Sequence, residues 1–392
     1  MKRSCSRLAL ATVLLVAMPG CYLFHGPEAG EEPPEPTVDA AVPEPEPAPE
    51  PDPVPEPEPV PEPEPGPERP MRWVTLATDG PTPPGRLSHL AAYDDVGDRM
   101  IVLGGYDPYL DLGACCVDPY VMHRDIWTLD LETERWSHVG ELPAPVLALN
   151  PVTLAVDRPR NRLVVVGSVG APNFGRVQTM AVDLRTREVT TLPPSPWAAR
   201  DWPLRSTHDV ERQTIVVHDA YYAEAREGLL VFDLATDEWR VLEPAAGTGP
   251  GIRFHTPLVS SPSGAYVYAG YGTDEPPDRL WRLAPGATGW TELPLSGELE
   301  SGRWSHRAVH ESVRDLLVVF GGMRNSERLG TLVIRLSTGR AEVPVLDALG
   351  PIPEGRRDHT MVLDTRRRRA LVFGGARASE LALADTWALE LP

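Results

Sequence analysis

Lysine is all but missing from this chain of 392 residues: Lys2 is the only one, and every other basic residue is arginine. A GC-rich coding sequence produces that bias, and no mechanism is read from it. The chain has a formal net charge of −19 and no basic stripe. Neutralising nucleic-acid phosphates needs such clustered cations, so nucleic acid is not an expected partner. No apolar run is long enough to span a bilayer. The longest, Leu8 to Met18, falls short of the roughly 20 residues a membrane helix needs. What is present is proline, 45 residues of it, and it is unevenly spread.

The N-terminus reads as an address. Lys2, Arg3 and Arg7 precede the apolar run, which ends at Pro19-Gly20-Cys21, as in a secretory signal peptide. A small residue directly before Cys21 resembles the lipobox of bacterial lipoproteins. The resemblance implies cleavage after residue 20, a thioether-linked lipid on Cys21 and a short lipid-anchor region, 21–26. It places the protein in the bacterial cell envelope, and Tyr22 rather than Asp after the Cys points to the outer membrane or cell surface. Residues 27–70 follow with 18 Pro, 14 acidic residues and one basic residue, Arg69. Pro fixes φ and removes a hydrogen-bond donor, and the Glu side chains repel one another. The stretch is expected to be a disordered, extended spacer reaching on the order of 100 Å at about 3.1 Å per residue. With that charge set aside, residues 71–392 carry only −9.

Self-comparison of residues 71–392 shows a repeat. Asp130-Leu-Glu-Thr-Glu-Arg-Trp136, Asp183-Leu-Arg-Thr-Arg-Glu-Val189 and Asp233-Leu-Ala-Thr-Asp-Glu-Trp239 each follow a β-prone run, and Asp-x-x-Thr reads as a hairpin turn. Weaker copies end at Trp290 and run through Leu336 to Arg340. Val102-Leu103-Gly104-Gly105, Val319-Phe320-Gly321-Gly322 and Val372-Phe373-Gly374-Gly375 each end an apolar strand, with degenerate copies at Gly167, His218 and Gly270. Glycine pairs there suit a close backbone approach or positive φ where the inner strand leaves the core. From 167 through 218, 270 and 321 to 374 the spacing is close to fifty residues. A third marker, Arg-x-x-His, precedes the apolar strands as Arg86–His89, Arg303–His306 and Arg356–His359, with a displaced version in Arg253-Phe254-His255.

Arg-x-x-His, then Gly-Gly, then a closing Trp resemble the kelch motif. The resemblance covers essentially all of 71–392 and is weakest in the second and third units. It implies an all-β, six-bladed β-propeller of four-stranded antiparallel blades, in which each blade buries its faces on its neighbours. The chain stops after Asp385-Thr-Trp387-Ala-Leu-Glu-Leu391, which reads as the third strand of the last blade with no outer strand following, so Arg72-Trp73-Val74-Thr75-Leu76 is expected to close the sixth blade from the N-terminal side.

In this fold the b–c and d–a connections of every blade emerge on one face, where a site is expected. The candidate ligand-binding residues are Arg86, His89, Arg253, His255, Arg303, His306, Arg356 and His359. They either form a cationic ring for carboxylates or are internal to the repeat. The first unit carries an insertion on the same face: Gly104 to Asp130 spans 26 residues where Gly321 to Leu336 spans 15. It holds Cys115-Cys116, His123, Tyr106, Tyr109 and Tyr120. Adjacent cysteines in an oxidising compartment admit a vicinal disulfide, strained because neighbouring Cα atoms lie only about 3.8 Å apart. A metal site there lacks a second Cys pair, so neither metal nor cofactor is expected. The resemblance implies a monomeric binding domain for a protein or glycan, touching the membrane only through its lipid. Alternatives are a carbohydrate-active enzyme, epimerase- or lyase-like, drawing acid and base from His89, His306 or Asp358, and a structural envelope protein without a small ligand.

Overall fold

The computed structural model describes residues 70–392 apart from 108–120, 147–149, 170–174, 200–203, 220–228, 243–248, 273–277, 298–301, 347–349, 378–381 and isolated residues or pairs between them. The expected signal peptide, lipid-anchor region and nearly all of the linker lie outside the described residues. Residues 70–392 fall in the unit Pro65–Pro392.

That unit is a ring of six antiparallel blades. Strands a to d, counted outward from the axis, are Leu90–Asp94, Arg99–Leu103, Asp125–Asp130 and Arg135–Glu141 in blade 1. Blade 2 has Asn150–Asp157, Arg162–Val169, Gly175–Asp183 and Val189–Thr191. Blade 3 has Leu204–Asp209, Thr214–Asp219, Leu229–Asp233 and Glu238–Leu242. Blade 4 has Leu258–Ser261, Gly264–Tyr268, Leu280–Leu283 and Thr291–Leu293. Blade 5 has Trp304–Glu311, Leu316–Arg324, Thr331–Arg335 and Arg340–Glu342. In blade 6 strands a to c are Thr360–Asp364, Arg369–Phe373 and Thr386–Glu390, and strand d is Arg72–Thr75 from the other end of the domain. Trp73 pairs with Leu389 and Thr75 with Trp387, so the ring closes as the sequence implies.

Alternation along strand b explains how one strand serves two boundaries. In blade 5, Leu317 and Val319 pack toward blade 4, against Tyr266, Tyr268 and Leu280. Leu316, Val318 and Phe320 pack toward blade 6, against Trp73, Ala370 and Val372. The same division recurs at every boundary, and the described residues form six apolar clusters, one between each pair of adjacent blades. Strand-d tryptophans complete two of them on the preceding blade. Trp73 stacks 4.7 Å from Phe320 and donates to Thr331 Oγ1 at 3.2 Å. Trp136 lies 5.1 Å from Phe373.

The Asp-x-x-Thr turns form as read. One carboxylate oxygen of Asp130, Asp183 or Asp233 accepts from two backbone N–H groups two and three residues on. The a–b turns on that face carry arginines that reach across blades. Arg158 meets Asp95 at 2.7 Å, Arg162 meets Asp237, Arg367 meets Asp98 at 2.6 Å and Arg368 meets Glu311 at 3.1 Å. Gly104-Gly105 and Gly374-Gly375 follow strand b, the second strand from the axis.

Closure by Arg72–Thr75 predicts unequal truncations. Removing residues 1–70 leaves a domain that melts like the full chain. Removing 1–77 strips Trp73 from its cluster and bares the edge of Thr386–Glu390, so Tm falls by several degrees or the protein aggregates. Equal melting of the two truncations would contradict closure by this strand.

Candidate functional site at the channel mouth

The recurring arginines sit inside the ring wall. Arg86 is fully buried, and its guanidinium makes a fork with both oxygens of Asp125, at 2.6 and 2.9 Å, while also donating to Gly104 O at 2.8 Å. Trp127 Nε1 donates to the same carboxylate at 2.7 Å. Burial pulls the Asp125 carboxyl upward, but the Arg86 and Trp127 hydrogen bonds outweigh it and hold the group below the usual carboxylate range. Blade 6 repeats the unit with Arg356, Asp385, Gly374 O and Trp387. In blade 5 Gly330 stands in the place of the aspartate, and Arg303 donates instead to Gly321 O at 2.8 Å and Gly330 O at 2.7 Å.

The histidines of the motif face the preceding blade. His89 meets Phe373 edge-on with centroids 5.3 Å apart, His359 meets Phe320 at 5.3 Å, and His306 meets Tyr268 at 5.9 Å. Gly-Gly makes room for them. A Cβ on Gly105 would lie 2.7 Å from His89 Cβ, and one on Gly374 would lie 2.9 Å from His89 Cε1. The second glycine also donates its N–H to the next blade's arginine carbonyl: Gly375 to Arg86 O at 2.9 Å, and Gly322 to Arg356 O at 2.7 Å. Arg86, Arg303 and Arg356, with His89, His306 and His359, are thus engaged in joining blades, and they are at most 1% exposed.

The fourth copy is not displaced. Arg253 takes the arginine place and is 4% exposed, Thr256 takes the histidine place, and His255 takes the place before it. His255 shares positive φ with Ser88, Ser305 and Asp358, the third residue of each other copy. These four residues form a collar. Ser305 N donates to His255 O at 2.6 Å, Asp358 N to Ser305 O at 3.3 Å, and Ser88 N to Asp358 O at 2.9 Å. The collar links blades 4, 5, 6 and 1 around one end of the axial channel.

At that end His255, from the expected set, groups with Tyr271 and Trp304, which the repeat motifs do not mark. His255 and Tyr271 are exposed, and Trp304 lies between them with centroids 5.5 Å from His255 and 6.4 Å from Tyr271. Arg357 pairs with Asp358 at 2.5 Å. Behind them the channel encloses 490 Å³, lined from Thr256, Arg307 and Thr360 at this end to Asp95, Glu211 and Ser312 at the other. Arg307 follows His306 on strand a of blade 5, and alternation along that strand turns it into the channel. That alternation is the signal by which the sequence could have revealed it. Of the insertion in blade 1, Tyr106–Asp107 pairs with Val121–Met122, and His123 Nε2 lies 3.2 Å from Gly85 O. Cys115, Cys116, Tyr109 and Tyr120 lie outside the described residues. The acid–base candidates do not share an open site: His89 and His306 are sealed in the wall, and Asp358 is ion-paired.

Four-stranded antiparallel blades and an N-terminal closing strand define a six-bladed β-propeller, and Arg-x-x-His locks against Gly-Gly at its boundaries. Residues 257–392, which span blades 4 to 6, match the family model described as the KLHDC2/KLHL20/DRC7 Kelch-repeats domain. Among solved structures, that titled "Structure of YjhT" aligns over 78% of this chain and 95% of its own, with a TM-score of 0.52 and 15% identity. At that identity the likeness is one of fold. No curated protein matches the sequence.

The wall histidines predict a pH dependence. Burial, followed by neighbouring arginines, holds His89, His218, His306 and His359 well below the ordinary imidazole range, and His208 is brought down to about 4. They are neutral in the fold and titrate near 6.5 when unfolded. The unfolded chain therefore binds more protons as pH falls below about 6.5. Stability is full above that pH and is lost below it, by about 1.4 kcal/mol per pH unit for each histidine that stays neutral. Urea midpoints taken from pH 7.5 down to 5 are expected to fall steadily. A flat profile would show these histidines to be solvated.

Proposed function

We propose that the propeller is a binding module of the bacterial cell envelope that captures a protein partner on the face bearing the b–c and d–a connections. The observation that carries this reading is the grouping of Trp304, Tyr271 and His255 at the channel mouth, with Tyr271 61% exposed. Aromatic anchors beside a charged pair are what a partner's hot spot meets, and kelch propellers commonly serve as interaction scaffolds. A glycan is the second reading. It is favoured by aromatic faces suited to sugar stacking beside Arg357 and Asp358, which can hydrogen-bond hydroxyls. Residues 1–20 would direct export, Cys21 would carry the lipid and residues 27–70 would act as the spacer.

The test uses the full chain as bait against envelope extracts and a glycan array. Trp304→Ala with Tyr271→Ala is expected to weaken capture at least tenfold while Tm moves little, because both residues lie at the mouth rather than in the boundary clusters. Undiminished capture would move the site elsewhere. In the same cells Cys21→Ser is expected to remove an acyl mass and release the protein from membranes. Unchanged fractionation would refute the anchor.

A further inference from the structure

We infer that the face opposite the channel mouth is a self-association surface, on which a second copy of this chain docks about a two-fold axis to give a back-to-back dimer. Strands a to d alternate in direction, so the six a–b turns gather on that face. Asp95, Arg158, Val210, Pro262, Ser312 and Thr365, one from each turn, ring the far end of the channel. Five of the six turns hold an apolar residue outward: Val96 is 71% exposed, Val313 68% and Val210 43%, and Pro159 and Pro262 are exposed as well. The valine turns are braced from below. Asp94, Asp209 and Glu311 each accept the backbone N–H three residues on. A rigid apolar rim costs little ordering when it is covered. Strand d is outermost, so the chain enters the domain at Arg72 on the rim of this face and not among the tips.

The charges on this face select a second copy as the occupant. In a ring of six, blade 6 stands opposite blade 3. The a–b turn of blade 6 carries Arg366 to Arg369 against one aspartate, Asp364, and Arg366 is exposed. Blade 3 presents Glu211 and Glu238, both exposed, beside Asp233. A two-fold axis lying in the face, perpendicular to the line from blade 3 to blade 6, places Arg366 of each copy over Glu211 of the other. The same axis lays blade 1 on blade 2 and blade 5 on blade 4. The turn of blade 1 has Asp94, Asp95 and Asp98 against Arg99, whereas that of blade 2 has Arg158, Arg160 and Arg162 against Asp157. Val96 then meets Pro159, and Val313 meets Pro262. One symmetry operation matches opposite charges and covers apolar tips together, as an isologous interface requires. Such a pair leaves both channel mouths facing outward.

Sedimentation equilibrium of the full chain, in excess detergent matched in density to the buffer, tests the surface. The protein mass is expected to rise from one copy to two with concentration, with a Kd on the order of micromolar. Val96→Asp with Val313→Asp is expected to weaken association by about tenfold while Tm moves little, because both side chains are exposed. Arg366→Glu and Glu211→Arg are each expected to weaken it by about fivefold, since the axis then sets like charges together. Mixing these two variants is expected to restore wild-type association, because both contacts of the mixed pair join opposite charges. Within one copy the two positions stand on opposite blades, so no internal pairing imitates the rescue. A wild type that stays at one copy up to about 100 µM, an unchanged Kd in V96D/V313D, or a mixture no more associated than its components would overturn the proposal. If V96D/V313D does not fold, the mixture decides. The readout is mass alone, so it stands apart from partner capture by Trp304 and Tyr271 on the other face.

Discussion

A buried guanidinium clasped by a carboxylate fixes where the intact blades begin and end. Arg86 binds Asp125 on strand c and the Gly104 carbonyl at the end of strand b, so it locks the spacing of its own blade. Its backbone carbonyl then accepts from Gly375, so the same residue fastens that blade to the one before. The histidine three places on can reach the preceding aromatic only because Gly-Gly removes two Cβ atoms from its path. Arginine suits this task where lysine does not, since a planar fork satisfies two carboxylate oxygens and a carbonyl together. In this protein the near-absence of lysine coincides with heavy use of that geometry, at the wall and again in the cross-blade pairs of the a–b turns.

The same economy positions the mouth. The arginine of each copy is buried in the wall, and a residue of positive φ follows two places on. Ser88, His255, Ser305 and Asp358 join by backbone hydrogen bonds into a collar whose side chains differ from blade to blade. A shared backbone with unshared side chains is how a repeat builds a rigid rim while leaving its chemistry open. On this rim blades 4 to 6 contribute His255, Trp304, Arg357 and Asp358.

The architecture was legible because the repeat unit is local: Gly-Gly, Asp-x-x-Thr and Arg-x-x-His each occupy a few consecutive residues and mark strand ends. Trp73 and the missing last strand together placed the closure. The direction of the arginines was not legible, because a residue used in several blades reads equally as wall or as rim until its carboxylate partner, some 39 residues on in blade 1, is seen. His255 misled for a related reason. In blade 4 threonine replaces the histidine, and a histidine one place earlier drew the alignment onto itself. Arg307 escaped notice because it occurs in one blade only, while self-comparison rewards what recurs.

A double-mutant cycle on Arg86 and Asp125 tests the account most directly. Arg86→Ala and Asp125→Ala are each expected to destabilise the full chain by about 3 kcal/mol, the range for breaking a buried pair. The double variant should lose little more than either single change, a coupling of about 2 kcal/mol or more. Additive losses below about 0.5 kcal/mol each, with partner capture abolished in R86A, would contradict the account and return the arginine to the binding site.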